Sequence, residues 1–334
     1  MIKQAPPYCI QIELTEGCNL ACAFCGIASI RKNGANGPKD KRGKKSDPYR
    51  HLTYVNAHIL AIKIKQAIFK DKWNPRIEMA MHGEPTMNPN FKDIVQVFRK
   101  QLPQTHLQMT SNGIGLLKGD LTENIDELME AGINVLLLDN YEGIKICDKV
   151  REHYKGAHRI REYPLNKEAN PHRRRKPEDH DIVVVQDIAA ATKGNHSTLN
   201  NHAGAAFPKN DKAAGKRCAK VFRELSVRWD GNIAICCNDW PGFYRCGNIL
   251  EDKITLEKIW QGDPFIVARK KLYHGMRDFG PCDGCDALSY RPGLLPDAKG
   301  KLNLEKPDEK DDLTIEAALS QGPYTQAILR PWEK

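Results

Sequence analysis

Short apolar runs rich in β-forming residues alternate with amphipathic helical patterns through the first two thirds of the chain, and this alternation limits the fold more than any other feature. YCIQIEL (8–14), RIEMAM (76–81), HLQMT (106–110), INVLLLD (133–139), HRIREY (158–163) and DIVVVQDI (181–188) read as strands. Helical patterns follow the first four: NAHILAIKIKQAIF after Thr53, whose hydroxyl can cap it, then FKDIVQVFRKQL, LTENIDELMEA and YEGIKICDKVREHY. Units of roughly 25 to 30 residues argue for parallel strands joined by helical crossovers, as a full or partial barrel or an open sheet. About six units fit, fewer than the eight of a closed barrel.

Folds of this kind collect their chemistry where the strands end. The first strand runs into EGCNLACAFC, the second into HGEPTMNP, the third into SNG, and the fourth into Asp139 and Asn140. Cys18, Cys22 and Cys25 follow the spacing C-x3-C-x2-C, three ligands where a tetrahedral site needs four. A structural zinc would take its fourth ligand from elsewhere, with His82 as a candidate. A [4Fe–4S] cluster on three cysteines would instead keep one iron free of protein.

With 334 residues, 40% of them hydrophobic, the chain can bury one large domain with a smaller one attached, or two domains. No stretch of about 18 uncharged apolar residues occurs, and MIKQAPPYCIQIEL lacks a signal-peptide core, so the expected location is the cytoplasm, without a membrane span. Eleven cysteines in such a chain point to metal binding or catalysis rather than disulfides. The formal charge of +9 rests largely on segments 31–45 and 173–176. Their Gly- and Pro-containing sequence reads as solvated loop, with an anionic substrate or nucleic acid as the functional alternative.

Beyond about residue 205 the pattern changes. LSVRWDGNIAICCND reads as a hairpin turning at Asp230-Gly231, and CDGCD (282–286) as a cysteine knuckle, while the last 45 residues carry one weak helical signal at 314–319. Cys218, Cys236, Cys237, Cys246, Cys282 and Cys285 form a second group, with Cys9 and Cys147 apart. Two metal sites are expected. Zinc on four of these cysteines is chemically reasonable.

C-x3-C-x2-C with Phe24 before its last cysteine resembles the signature of the radical S-adenosylmethionine (SAM) enzymes. The resemblance extends to the later strand ends. His82-Gly83-Glu84-Pro85 is similar to that family's Gly-Gly-Glu-Pro turn, with histidine in place of the first glycine, and Ser111-Asn112-Gly113 to its Thr-Asn-Gly stretch. It implies an α/β fold, a partial (β/α)6 TIM-like barrel over residues 1–205. It also implies a [4Fe–4S] cluster on Cys18, Cys22 and Cys25, with S-adenosylmethionine on its open iron. Phe24, His82, Gly83, Glu84, Ser111, Asn112 and Asp139 would contact the cofactor, Glu84 by taking its ammonium group.

Cys218, Cys236, Cys282 and Cys285, with G-x4-C at 231–236, resemble the twitch module, the shorter relative of the SPASM domain, which holds one auxiliary [4Fe–4S] cluster on a β-hairpin and short helix. This assigns 206–290 to an auxiliary domain and 291–334 to a C-terminal extension. Cys237 or Cys246 could replace Cys236, but neighbours on a strand point to opposite faces, and Cys236 fits the spacing. The resemblance implies a flavodoxin- or ferredoxin-type electron donor and oxidation of a polar small molecule such as a sugar, cyclitol or nucleotide derivative. A peptide or nucleic-acid substrate and a zinc-stabilised nucleic-acid-binding protein are the alternatives. STLNNHAGAAF (197–207) is similar to a stretch preceding the auxiliary domain of relatives, which puts Asn200, Asn201 and His202 beside the site. Asp187, Asp230 and Asp239 are equal candidates for a base.

Overall fold

The computed structural model describes residues 4–20, 22, 24–27, 49–141, 145–163, 181–185, 200–206 and 213–287. The basic segments 31–45 and 173–176, Asp187 and the helical signal at 314–319 lie outside these residues. Six strands of the alternating region pair in parallel: β1 (Cys9–Ile12), β4 (Arg76–Glu78), β5 (Leu107–Ser111), β6 (Val135–Asp139), β7 (Ile160–Tyr163) and β8 (Asp181–Val185). Two short strands, β2 (Thr15–Glu16) and β3 (Arg50–His51), pair separately. The helices α1 (Tyr54–Asp71), α2 (Phe91–Gln101), α3 (Leu121–Glu130) and α4 (Ile146–His153) supply the crossovers. Thr53 caps α1, its hydroxyl accepting from the Asn56 N–H at 3.1 Å. Ala57, Leu60, Ala61, Ile64 and Ala67 then form the one buried stripe that a 3.6-residue period allows.

The strand order departs from chain order at one edge. β8 sits beside β6, and β7 lies outside it. Burial explains the exchange: Ile182, Val183 and Val184 are buried, as an inner parallel strand requires, whereas β7 carries the half-buried Ile160 and Arg161. Arg159 and Arg161 close the edge on buried Asp181, at 2.8 and 2.9 Å.

At the other edge the C-terminal part continues the same sheet. After the short α5 (Lys220–Arg223), β9 (Glu224–Val227) pairs in parallel with β1, matching Ile10 to Leu225. β10 (Asn232–Ala234) returns antiparallel across Asp230-Gly231, and β11 (Arg245–Asn248) adds to it. The helices α6 (Leu256–Trp260) and α7 (Asp263–Tyr273) then pack behind. Trp260 meets Trp73 edge-on at 6.4 Å, and the Trp73 indole donates to Glu257 at 2.8 Å. One apolar core therefore runs from the α1 side of the sheet to α7. Among the described residues no helix is long and apolar enough to cross a membrane.

Candidate active site

The ends of β1, β4, β5 and β6 meet at a cavity of ≈ 300 Å³. Cys18, Cys22 and Cys25 line it together with Phe24, Gly83 and Glu84; Ser111 and Asn112 form the next part of the wall. The cysteine loop is held by its neighbours. Leu20 N–H points at the Cys18 sulfur at 3.3 Å, and Asn112 Nδ2 reaches both that sulfur, at 3.5 Å, and Asn19 Oδ1, at 2.8 Å.

Glu84 is the best-tethered group in the wall. Its Oε1 accepts from Thr86 N–H (3.0 Å), Thr86 Oγ1 (2.7 Å) and Ser111 Oγ (2.6 Å), and its Oε2 from Asn112 N–H (2.7 Å). All four donors are uncharged, and burial pushes the carboxyl pKa up despite them. A cation entering the cavity would stabilise the ionised form. Gly83 is required by the backbone alone, since a Cβ there would lie 2.2 Å from the Thr15 carbonyl oxygen. That close approach lets Glu84 N–H donate to Gly17 O at 2.9 Å, joining the second strand end to the start of the cysteine loop.

Two of the expected cofactor contacts, His82 and Asp139, are not among the residues that line the cavity. His82 is fully buried, with Nδ1 2.8 Å from Glu13 Oε1 and Nε2 donating to the Cys237 carbonyl at 2.8 Å. Both ring nitrogens are thereby engaged in joining the end of β1 to the C-terminal part, and the ring packs on Trp240 of the cavity wall at 4.8 Å. Burial opposes ionisation of Glu13, but the bond from His82 and the charge of Arg228 outweigh it and hold its pKa down. Asp139 is buried at the end of β6 and does not line the cavity; Tyr141, two residues on, does, stacked on Phe24 at 6.1 Å. Asn140 accepts from Cys147 N–H at 2.8 Å and so orders the first turn of α4.

Of the proposed bases, Asp230 accepts from Asn232 N–H within the hairpin turn, at 3.1 Å. Buried Asp239 accepts from the N–H groups of Phe243 and Tyr244, at 2.9 and 2.8 Å. Both organise turns. The far wall of the cavity is instead Asn200, His202 and Trp240. His202 Nδ1 accepts from Gly26 N–H at 3.0 Å, and its ring stacks on Trp240 at 5.1 Å. Burial, then the charge of His82, lowers its pKa to about 4, so the ring is neutral at pH 7 with its proton on Nε2. Tyr141 and Trp240 were not singled out from the sequence. Tyr141 follows a strand end and was within reach of that rule, whereas Trp240 carries no local signal.

The second cysteine group also converges. Cys218, Cys236, Cys282 and Cys285 are all buried and free of disulfides. Burial first, then the adjacent Cys237, and then Cys282 and Cys285, push the pKa of Cys236 up; burial and then Cys285 and Cys218 do so for Cys282. Cys237 turns the other way, its sulfur 3.3 Å from Lys220 Nζ, and Cys246 has Asp239 and Arg269 as charged neighbours. Arg277 ties the two cysteine-bearing segments, donating to the carbonyls of Lys216 at 3.0 Å and Ala287 at 3.1 Å.

These two sites coincide with two family matches. The sequence model described as the radical SAM superfamily matches residues 12–140, and that of the SPASM iron-sulfur cluster-binding domain matches 218–286. Residues 12–140 are thus a radical SAM domain, and residues 218–286 an iron-sulfur domain of the SPASM type. Radical SAM enzymes require a substrate and an electron donor, and the two domains imply [4Fe–4S] clusters and S-adenosylmethionine as cofactors. The fold is also that of BtrN. Its complex with AdoMet and 2-DOIA superposes with a TM-score of 0.60 at 19% identity, covering 87% of this chain and 98% of that one. An open conformation of BtrN gives 0.52 at 18% identity, covering 85% and 94%. No curated protein is similar enough in sequence to count as a relative.

The donor sets fit clusters of this kind. Both are built of thiols, the ligands iron-sulfur clusters take. Among the described residues no three His, Cys, Asp or Glu side chains close around one point as a lone ion requires. The thiolates of an iron-sulfur cluster would each bind a different iron, so they need not meet at one point.

Proposed function

We propose that this radical SAM enzyme is an oxidoreductase acting on a polar small molecule, with Cys18, Cys22 and Cys25 holding the cofactor-binding cluster and Cys218, Cys236, Cys282 and Cys285 the auxiliary one. The observation that carries the reading is the shared cavity. Its near wall is the three-cysteine loop with Glu84, Ser111 and Asn112, and its far wall is Trp240, which follows Cys236 by four residues, with His202. A substrate held between these walls lies between the two cysteine groups.

The chemistry that the bound groups would supply is one-electron: reductive cleavage of S-adenosylmethionine to methionine and a 5′-deoxyadenosyl radical, transfer of a hydrogen atom from the substrate to that radical to give 5′-deoxyadenosine, loss of the hydroxyl proton to solvent or a base, and uptake of the remaining electron by the second cluster. The chain's own residues bind and orient. Glu84 presents a buried carboxylate edge to the cofactor's ammonium group, a charge-assisted contact strengthened by the low dielectric of the site. Thr86, Ser111 and Asn112 fix that carboxylate before the cofactor arrives, so little reorganisation is needed on binding. Phe24 and Tyr141 close one side with stacked rings and exclude water from a site where a radical would react with any neighbour.

In this reading the six parallel strands form the partial barrel of a domain over 1–205, 206–290 forms the auxiliary module on its hairpin, and 291–334 is an extension. The electron donor is a flavodoxin or ferredoxin, and the enzyme works in the cytoplasm. The test is anaerobic reconstitution followed by assay with polyols, aminocyclitols and nucleosides, scoring 5′-deoxyadenosine and ketone together. Equal yields of both with one such class support the proposal. Coupled product only with a peptide or RNA would replace the substrate class, and stoichiometric zinc without iron would overturn the reading.

A further inference from the structure

The turn Asn200–Gly204 touches both cysteine-bearing loops. On one side Asn201 closes on the CDGCD knuckle: its N–H donates to Asp286 Oδ1 (2.7 Å), Asp286 N–H donates back to Asn201 Oδ1 (3.1 Å), and Asn201 Nδ2 donates to Gly284 O (2.8 Å). On the other side His202 Nδ1 accepts from the N–H of Gly26, the residue after Cys25. Asn201 is 1% exposed, so its three bonds are made away from competing water.

Two further observations show that this arrangement is imposed on the turn rather than preferred by it. His202 and Ala203 hold φ of 49° and 55°, the left-handed region that residues with a Cβ rarely occupy. Such conformations persist where surrounding contacts over-determine them, and they gather at functional sites. Trp240, which stacks on His202, also presses on Gly26 so closely that a Cβ there would come within 2.7 Å of the indole.

We propose that Asn201 and His202 form a strap that fixes the Cys25 loop relative to the Cys282–Cys285 loop, with His202 as the positioning residue. The proposal rests on the assignment of a cluster to each loop given above. Transfer of an electron out of a substrate held between the loops depends on their separation and orientation, and the strap sets both without contributing a ligand to either. An imidazole is suited to the task because its Nδ1 accepts from the loop while the flat ring packs on Trp240.

Three variants of the reconstituted holoprotein test this. His202→Phe keeps the ring and removes the acceptor, His202→Asn restores an acceptor where Nδ1 stood, and Asn201→Ala cuts the strap at the auxiliary end. Iron per chain is measured first, and a wild type without two clusters would sink the cluster assignment independently of the strap. Both clusters are then reduced with titanium(III) citrate, and their mutual magnetic coupling and the response of the spectrum to S-adenosylmethionine are recorded by electron paramagnetic resonance. The strap predicts altered coupling and an altered cofactor response in His202→Phe, return of both in His202→Asn, and the same disturbance in Asn201→Ala. Spectra of Asn201→Ala identical to wild type, or His202→Asn as disturbed as His202→Phe, would overturn it. Should His202→Phe lose iron, the Asn201→Ala spectra decide alone.

Discussion

The two cysteine groups are built on the same ligand chemistry and differ in closure. Cys18 and Cys25 are partly exposed on a cavity, in a loop with three sulfurs, whereas the four sulfurs of the auxiliary group are buried under Arg277 and the turn at Asn201. Metal sites that do chemistry keep a position open, and sites that are fully ligated by protein do not. On the proposed assignment, the contrast implies that the three-cysteine loop is where a small molecule would reach the metal and that the second site would exchange only electrons.

Removing either group should break this contrast in opposite ways. Cys18→Ala, Cys22→Ala and Cys25→Ala combined should lower iron from about eight to about four per chain and abolish 5′-deoxyadenosine formation. Cys282→Ala with Cys285→Ala should lose a similar amount of iron and stop substrate oxidation, while reductant-driven cleavage of the cofactor persists. Iron analysis and chromatography of the nucleoside product check both. Glu84→Gln should leave iron unchanged and weaken S-adenosylmethionine binding about 10- to 100-fold, the loss of one charged hydrogen bond, as read by calorimetry.

The smallest effect comes from His202. Its pKa of about 4 in the folded chain lies below the ordinary imidazole value because burial penalises the cation. Between pH 6.5 and 4 the unfolded chain therefore binds more protons, and stability falls as the solution is acidified through that window. At pH 5 the loss relative to pH 7 amounts to roughly 2 kcal/mol for this group, at about 1.4 kcal/mol per pH unit below 6.5. Unfolding free energies from denaturant titrations at the two pH values should differ by about 2 kcal/mol less in His202→Asn than in wild type.

Elements with a local cause were legible in the sequence. The Thr53 cap, the buried stripe of α1 and the apolar runs of β5 and β6 each follow from residues within one turn or one strand. The Glu84 and Ser111-Asn112 turns were legible because they stand at strand ends in chain order. What depended on distant pairing was not. Nothing in IREY or DIVVV alone says that the later strand lies inside the earlier one, or that Glu224–Val227 pairs with β1 and so continues the sheet. The ring partners of His82 were hidden for the same reason, because Glu13 and the Cys237 carbonyl that it joins lie far from it in the sequence.

The difference between an open and a closed cluster is tested most directly by Mössbauer spectroscopy of the protein reconstituted with ⁵⁷Fe, before and after addition of S-adenosylmethionine. The account predicts two [4Fe–4S] clusters per chain and a changed isomer shift at one iron of one cluster, with the other cluster unaltered. Two clusters of which neither responds to the cofactor, or a response at both, would contradict it.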